Sequence, residues 1–404
     1  MLSLTSISLL LSTMATAQQL TSYCNVTGGN GDNNPAPDGK YTIWSEGIRM
    51  SFVPYGASIS NLFINDSRDI ERDVVYGFDE AWMYTTGQHG YWGAVPGRYA
   101  NRIVNSTFTI DGVPSHIIPN ENNSTDTLHG GPDGWSHRNF SVVAHTDSSI
   151  TFSMTDPAGD QGFPGEVVAF ITYTAAPYEW RERMVAIPTT EKTPIMLSSH
   201  VYWNLDGYAN DQTDTALNHT LYMPYAGMRT NVTTTQVPTG TLDTNWADGP
   251  FDFWTQPRQV GYAFDQPELN RSCGPTCLGY NVCFLTQRQE AEKEAWEQTG
   301  AQVATLRSAW SGIQLDVFTD QDALQIYSCN NQNGSVPLKA TQGTATNSML
   351  QHWGCVVIEV EDWIAGINYP EWKREEEQIF GPGTQPYVLE ASYRFSINQT
   401  DVDE

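Results

Sequence analysis

The sequence predicts an all-β fold, a sandwich or a barrel. Three observations predict it: short runs in which apolar and polar residues alternate with period two, turn residues between those runs, and almost no helical periodicity. Alternation begins at Ile48, Met50 and Phe52, and Pro54-Tyr55-Gly56-Ala57 turns the chain into a second run at 59–64. The same texture returns at 107–110, where Asp111-Gly112 makes the turn, and then at 167–174, 313–318, 324–327, 356–360 and 387–395. One helical candidate, 287–299, is rich in Glu, Ala, Lys and Gln and is expected as an exposed insertion.

The chain has 404 residues. Domains commonly run to ~100–200 residues, but large all-β folds exceed that range. No Pro/Ser-rich linker and no internal repeat divides the sequence, so one domain is expected over 40–397, with tails at 18–39 and 398–404. The stretch 28–38 is polar and reads as loose.

The first residues read as a signal peptide spanning 1–17: an apolar stretch at 2–11 is followed by Ala15-Thr16-Ala17, an A-x-A cleavage site. Two further features agree with secretion. Asn-x-Ser/Thr sequons occur at Asn25, Asn65, Asn105, Asn122, Asn123, Asn139, Asn218, Asn231, Asn270, Asn333 and Asn398. The 6 cysteines show neither a C-x-x-C motif nor zinc-ligand spacing, so disulfides are expected for at least four of them. Cys273 and Cys277 could close a small loop, whereas Cys283 and Cys355 sit in apolar runs that also suit buried thiols.

A net charge of −26 and a pI near 4.5 exclude nucleic acid as a partner, because phosphates require a basic surface. They also disfavour anionic lipid. The acidic run Glu375-Glu376-Glu377 reads as solvated surface. Beyond the N-terminus nothing approaches the ~20 apolar residues of a membrane span, so a soluble mature protein is expected, and no pattern assigns an oligomeric state.

Chemistry concentrates in a few segments. As a strand, C-V-V-I-E-V-E-D-W from Cys355 puts Val356, Ile358 and Val360 on one face and Val357, Glu359 and Glu361 on the other. Pattern alone favours an edge strand with a wet side. The alternative is that one glutamate sits in a cleft, where desolvation raises its pKa toward that of a general base, and the pattern does not choose between Glu359 and Glu361. His200 lies in L-S-S-H-V-Y-W-N-L, where a lone histidine suits a core position, although Tyr202 and Trp203 are the kind of ring on which sugars lay their C–H faces. L-H-G-G from Leu128 and G-A-V-P-G-R-Y-A-N-R from Gly93 match no phosphate-binding motif, and no G-x-S-x-G elbow is present.

Taken in order, these segments resemble the galactose mutarotase (aldose 1-epimerase) family. The markers are Y-G-A-S-I-S-N-L from Tyr55, D-V-V-Y-G-F-D from Asp73, G-R-Y-A-N-R-I from Gly97, L-H-G-G-P-D-G-W from Leu128, G-F-P-G-E from Gly162, H-V-Y-W-N-L-D-G from His200, Q-I-Y-S from Gln325 and I-E-V-E-D-W from Ile358, followed by Asn368-Tyr369-Pro370. The resemblance implies a large antiparallel β-sandwich with the sugar in an open cleft on one concave sheet. It implies Glu359 as general base, His200 as general acid, and Asn101, Arg102, His129 and Gln325 at sugar-contacting positions. Asn281 stands where the family usually has Asp, Glu361 where a Gln is common, and Ser199 where an Asn is common.

The expected partner is a small aldose resembling glucose, galactose or xylose, with no metal and no other cofactor. Ring opening of a hemiacetal removes the C1 hydroxyl proton while a proton is given to the ring oxygen, so a base and an acid must flank the anomeric centre. Activity is expected to fall on the acid side as Glu359 protonates. The rival readings are a non-catalytic sugar-binding protein and a polysaccharide hydrolase or lyase. A hydrolase needs two carboxylates flanking the bond, and Glu359 and Glu361, side by side on one strand, straddle a substrate badly.

Overall fold

The computed structural model of the protein describes residues 34–86, 90–270, 272–298, 300–344 and 346–398. The expected signal peptide, Cys24, Asn25 and residues 399–404 of the C-terminal tail lie outside the described residues. Among those described, no helix is long and apolar enough to cross a membrane.

Strands dominate, and every apolar–polar run read from the sequence is one. A nine-stranded antiparallel sheet is ordered Arg258–Gln259, Thr220–Tyr222, Ala304–Arg307, Ile313–Thr319, Tyr387–Ile397, Glu179–Pro188, Val167–Ala176, Ser149–Asp156, Ser141–His145. A six-stranded sheet runs Tyr202–Trp203, Val356–Glu361, Ala323–Tyr327, Asn281–Leu285, Met228–Val232, Pro238–Thr244. A four-stranded sheet at the N-terminal end holds Tyr41–Ser45, Ile48–Val53, Ser58–Asn65 and Glu71–Asp73.

Period-two patterning decides which side chains meet. Ala169, Ile171 and Met184 of the nine-stranded sheet, Phe284, Ile326 and Ile358 of the six-stranded sheet, and Met50, Phe52 and Leu62 of the four-stranded sheet belong to one contiguous core. Phe52 stacks on Tyr173 at 4.5 Å between centroids. Burying each such side chain contributes roughly 1.5–3 kcal/mol, and the pooled faces make an antiparallel sandwich. The opposite face of the six-stranded sheet is left for other work.

Three expectations change. The strand carrying Glu359 is not an edge strand with a wet side: it pairs with Tyr202–Trp203 on one flank and Ala323–Tyr327 on the other, and all its residues are buried. The covering strand comes from the remote His200 segment, which local pattern does not reveal. The helical candidate shrinks to Glu290–Glu294, closed at its start by a Gln289/Glu292 capping box. With no apolar face to pack, little extends a helix beyond its first turns, and Trp296 turns back to bury itself. Cys355 is not a thiol but pairs with Cys329, and Cys273 pairs with Cys277, whereas Cys283 is free and buried. Glu375, Glu376 and Glu377 are exposed, as expected.

Candidate active site

The six-stranded sheet supplies the floor. Alternation along Val356–Glu361 sends Val356, Ile358 and Val360 into the core and sends Glu359 and Glu361 to the opposite face. Register places Gln325 opposite Glu359, and Cys283 opposite Gln325. Glu359 is only 2 % exposed and its Oε2 has no protein hydrogen-bond partner. Burial pushes its carboxyl up to about 8, and the Arg102 charge pulls weakly the other way.

His200 reaches the same spot from a loop pinned at its backbone: His200 N–H donates to the Ala94 carbonyl at 2.9 Å, and Gly93 N–H donates to the His200 carbonyl at 3.0 Å. Gly93 has φ +66°, and a Cβ there would stand 2.1 Å from the Ile59 carbonyl oxygen, so only glycine lets the two segments close. The imidazole lies between Tyr202, 4.8 Å away, and Tyr91, 5.6 Å away, both near parallel. Its Nε2 is 3.7 Å from Glu359 Oε1, and Nδ1 is buried with no protein partner. Burial lowers its pKa to about 3.

The far wall is made by G-R-Y-A-N-R and L-H-G-G, which interlock as a short ladder pairing Arg102 with Leu128 and Ile103 with Thr127. Gly130 is what permits it, since at φ +84° its Cβ would meet the Gly97 carbonyl at 2.0 Å. Asn101 N–H donates to His129 Nδ1 at 3.0 Å. That bond fixes the tautomer: the ring proton sits on Nε2, and burial keeps the imidazole neutral. The ligating atoms of His129, His200 and Glu359 lie within 4.8 Å of one another, the look of a metal triad. A metal-bound histidine donates from its other nitrogen, whereas Nδ1 of His129 accepts, so this residue is built to donate a hydrogen bond rather than to bind an ion.

A relay of polar contacts fixes the arginine. Asn101 Nδ2 donates to Glu361 Oε1 at 2.9 Å, Arg102 Nη1 to Asn101 Oδ1 at 3.1 Å, and Arg102 grips Glu121 through Nε and Nη2 at 2.7 and 2.8 Å. Glu361 is fully buried, and burial beside Glu359 holds its carboxyl well above the usual range. It is therefore a neutral acid whose Oε1 accepts as a glutamine oxygen would. Gln325 Nε2 donates to Asn281 Oδ1 at 2.6 Å, while Gln325 Oε1 stays buried and unbonded to protein. An aspartate at 281 would add a charge to a cleft already holding Glu359 and Glu121, whereas Asn281 keeps its amide hydrogens for a ligand.

Asn101, Arg102, His129, His200, Asn281, Gln325 and Glu359, the residues singled out from the sequence, line one cleft of about 500 Å³. Glu361 stays beneath its surface, which leaves no second carboxylate on the Glu359 strand to flank a glycosidic bond. Sequence reasoning missed Tyr91, Glu121, Tyr327 and the loop from Asn331 to Val336, all of which also line the cleft. Tyr91 stands two residues before Gly93 and could have been suspected; Glu121 carried no local signal.

Comparison with known proteins bears on what this cleft serves. The family described as aldose 1-epimerase matches residues 39–378. A probable aldose 1-epimerase of Arthroderma benhamiae is 37% identical over 94% of this chain and 90% of its own length. Epimerase FSL3 of Gibberella zeae is 32% identical, covering 90% of this chain and 86% of that protein. Among solved structures, an aldose epimerase homologue from C. elegans superposes with a TM-score of 0.73 at 26% identity, covering 89% of this chain and 99% of that one. With a buried acid–base pair in a polar, aromatic-lined cleft, and with its fold and most of its length shared with these proteins, the chain belongs to the aldose 1-epimerase family, isomerases that act on carbohydrates.

Proposed function

We propose that the enzyme interconverts the α and β anomers of free aldoses, with Glu359 as general base and His200 as general acid. The single observation that carries this reading is the 3.7 Å approach of His200 Nε2 to Glu359 Oε1 on the cleft floor. Glu359 takes the C1 hydroxyl proton while His200 gives a proton to the ring oxygen, and the C1–O5 bond breaks to leave an open-chain aldehyde. Rotation about C1–C2 turns the other carbonyl face, and the two groups with exchanged roles close the ring. During the open-chain step Glu359 is protonated and His200 neutral. That is also the state favoured in the empty cleft, where burial raises one pKa to about 8 and lowers the other to about 3. Ring opening therefore starts once that one proton has passed from Glu359 to His200, and the pair holds one proton throughout.

His129 Nε2–H and the Arg102 guanidinium are suited to hold sugar oxygens, and Asn281 and Gln325 offer donors and an acceptor to hydroxyls. Glucose-, galactose- and xylose-like aldoses are the candidates. Polarimetry of freshly dissolved α-glucose, α-galactose and xylose tests the reading: the protein should speed the drift to equilibrium rotation for at least one, and no acceleration of any would sink it. Glu361 acts here as a hydrogen-bond acceptor only, so Glu361→Gln should keep most of the activity in the same assay.

Secretion is part of the proposal, supported by the A-x-A site, the sequons and the disulfides. Asn65, Asn105, Asn123, Asn139, Asn270 and Asn333 are exposed. Protein from its native host should begin near Gln18 and run faster on a gel after deglycosylation; an intact, unglycosylated Met1 chain would contradict this.

A further inference from the structure

Among the described residues two acidic side chains line the cleft, Glu359 and Glu121, and ring opening uses only the first. The backbone of Glu121 is held in place nonetheless. Glu121 N–H donates to the Asp126 carbonyl and Thr125 N–H to the Glu121 carbonyl, both at 3.1 Å, which closes a tight turn over 122–125. At the base of that turn the Asn120 side chain accepts from Leu128 N–H at 2.7 Å and donates to the Leu128 carbonyl at 3.0 Å. Leu128 is the ladder partner of Arg102, so one short ladder carries both Glu121 and Arg102.

The two side chains meet edge to edge, Arg102 Nε and Nη2 donating to the two Glu121 oxygens at 2.7 and 2.8 Å. A carboxylate oxygen has room for two hydrogen bonds, so an edge-on arginine leaves a lone pair open on each. The Glu121 side chain is 25 % exposed and that of Arg102 8 %. The guanidinium in turn keeps a second hydrogen on Nη2 and, beside its bond to Asn101, another on Nη1. One rigid edge thus presents a charged acceptor next to a charged donor. Two neighbouring ring hydroxyls need that arrangement if one donates and the other accepts.

Around the acid–base pair, acceptors are scarcer than donors. His129 Nε2–H, the Arg102 guanidinium and the Asn281 amide all donate, and Asn281 Oδ1 is already taken by Gln325. Gln325 Oε1, buried and unbonded to protein, offers one acceptor. An aldopyranose brings several hydroxyl hydrogens, each costly to bury unpaired. Building on the anomerase reading above, we propose that Glu121 is a sugar-binding residue that determines specificity: it accepts from one ring hydroxyl while Arg102 donates to the next, so that the pair reads two adjacent hydroxyls of the aldose.

Exchange NMR at anomeric equilibrium tests it, comparing kcat/KM for glucose with that for the monodeoxy analogues lacking the hydroxyl at C2, C3, C4 or C6. The wild-type enzyme should prefer glucose to at least one analogue by about tenfold or more. Glu121→Ala should shrink that preference about five- to tenfold without shrinking all the others, the loss expected for one hydrogen bond to a charged group. Each preference is a ratio within one enzyme preparation, so a change in the folded fraction cancels. A wild-type enzyme indifferent to every deletion, or preferences that Glu121→Ala leaves unchanged or reduces all alike, would overturn the hydroxyl contact and leave the anomerase reading standing. Inactivity of the wild-type enzyme on glucose and every analogue would overturn both.

Discussion

Glu359→Gln and His200→Asn should each lower kcat for anomer interconversion by about 10²- to 10⁴-fold, the range for loss of a positioned general acid or base. Gln keeps the shape and the hydrogen-bonding edge of Glu but takes no proton, and Asn keeps a polar donor at the His200 position without a titratable nitrogen. Arg102, His129, Gln325 and Asn281 remain in place in both variants, so the loss appears in kcat rather than KM. The double variant is expected to be little worse than either single one, because the two residues serve one concerted transfer. Initial rates by polarimetry, with KM measured separately, check this; a single variant that raises KM at unchanged kcat would reassign its residue to binding.

The second large effect is with pH. Glu359 has its pKa raised to about 8 and His200 has its pKa lowered to about 3, both chiefly by burial. Below about 8 the pair therefore holds one proton, and below about 3 it holds two. Catalysis needs one acid and one base, so kcat/KM for the free enzyme should be flat through the neutral and mildly acid range. It should fall tenfold per unit above about pH 8, where the last proton leaves and nothing remains to protonate the ring oxygen. This revises the expectation that protonation of Glu359 costs activity on the acid side: the proton it takes is the one His200 gives up. A pH–rate profile with an acid limb near 5 and no alkaline limb would show that Glu359 is ionised in the free enzyme.

Much of the architecture was legible from period-two patterning, because strands that bury one face carry that alternation in their own residues. Val167–Ala176 alternates buried and half-buried residues along its whole length. Glu179–Pro188 was not seen as a strand, since E-W-R-E-R reads as surface. Yet it pairs on both sides, and Glu182 is buried with its Oε1 accepting from the Tyr393 hydroxyl at 3.0 Å. A buried acid held by a residue far along the chain leaves no local trace.

The same limit governs the site. Pattern put Glu359 and Glu361 on one face but read that face as wet, because the cover comes from segments at Asn101, His129 and His200. Ordered motifs shared with a known family, rather than periodicity, brought the seven lining residues together. Glu121 escaped both routes: its importance lies in a grip on Arg102 made across a loop, and nothing in Pro119-Asn120-Glu121 announces it. The loop from Asn331 to Val336 escaped because it reads as a polar turn with a sequon, and the Cys329–Cys355 bond and the Lys339–Asp73 pair that help to hold it join residues far apart in the sequence.

The central claim is that Glu359, and not its neighbour Glu361, exchanges protons with the anomeric hydroxyl. The most direct measurement is kcat for α-glucose with Glu359→Gln and Glu361→Gln made side by side and assayed by polarimetry at pH 7. The account predicts that Glu359→Gln is nearly dead while Glu361→Gln keeps most of the wild-type rate, because the amide oxygen introduced by the second change still accepts from Asn101 and so still steadies Arg102. A Glu359→Gln enzyme with most of its kcat intact, or a dead Glu361→Gln beside it, would contradict the account.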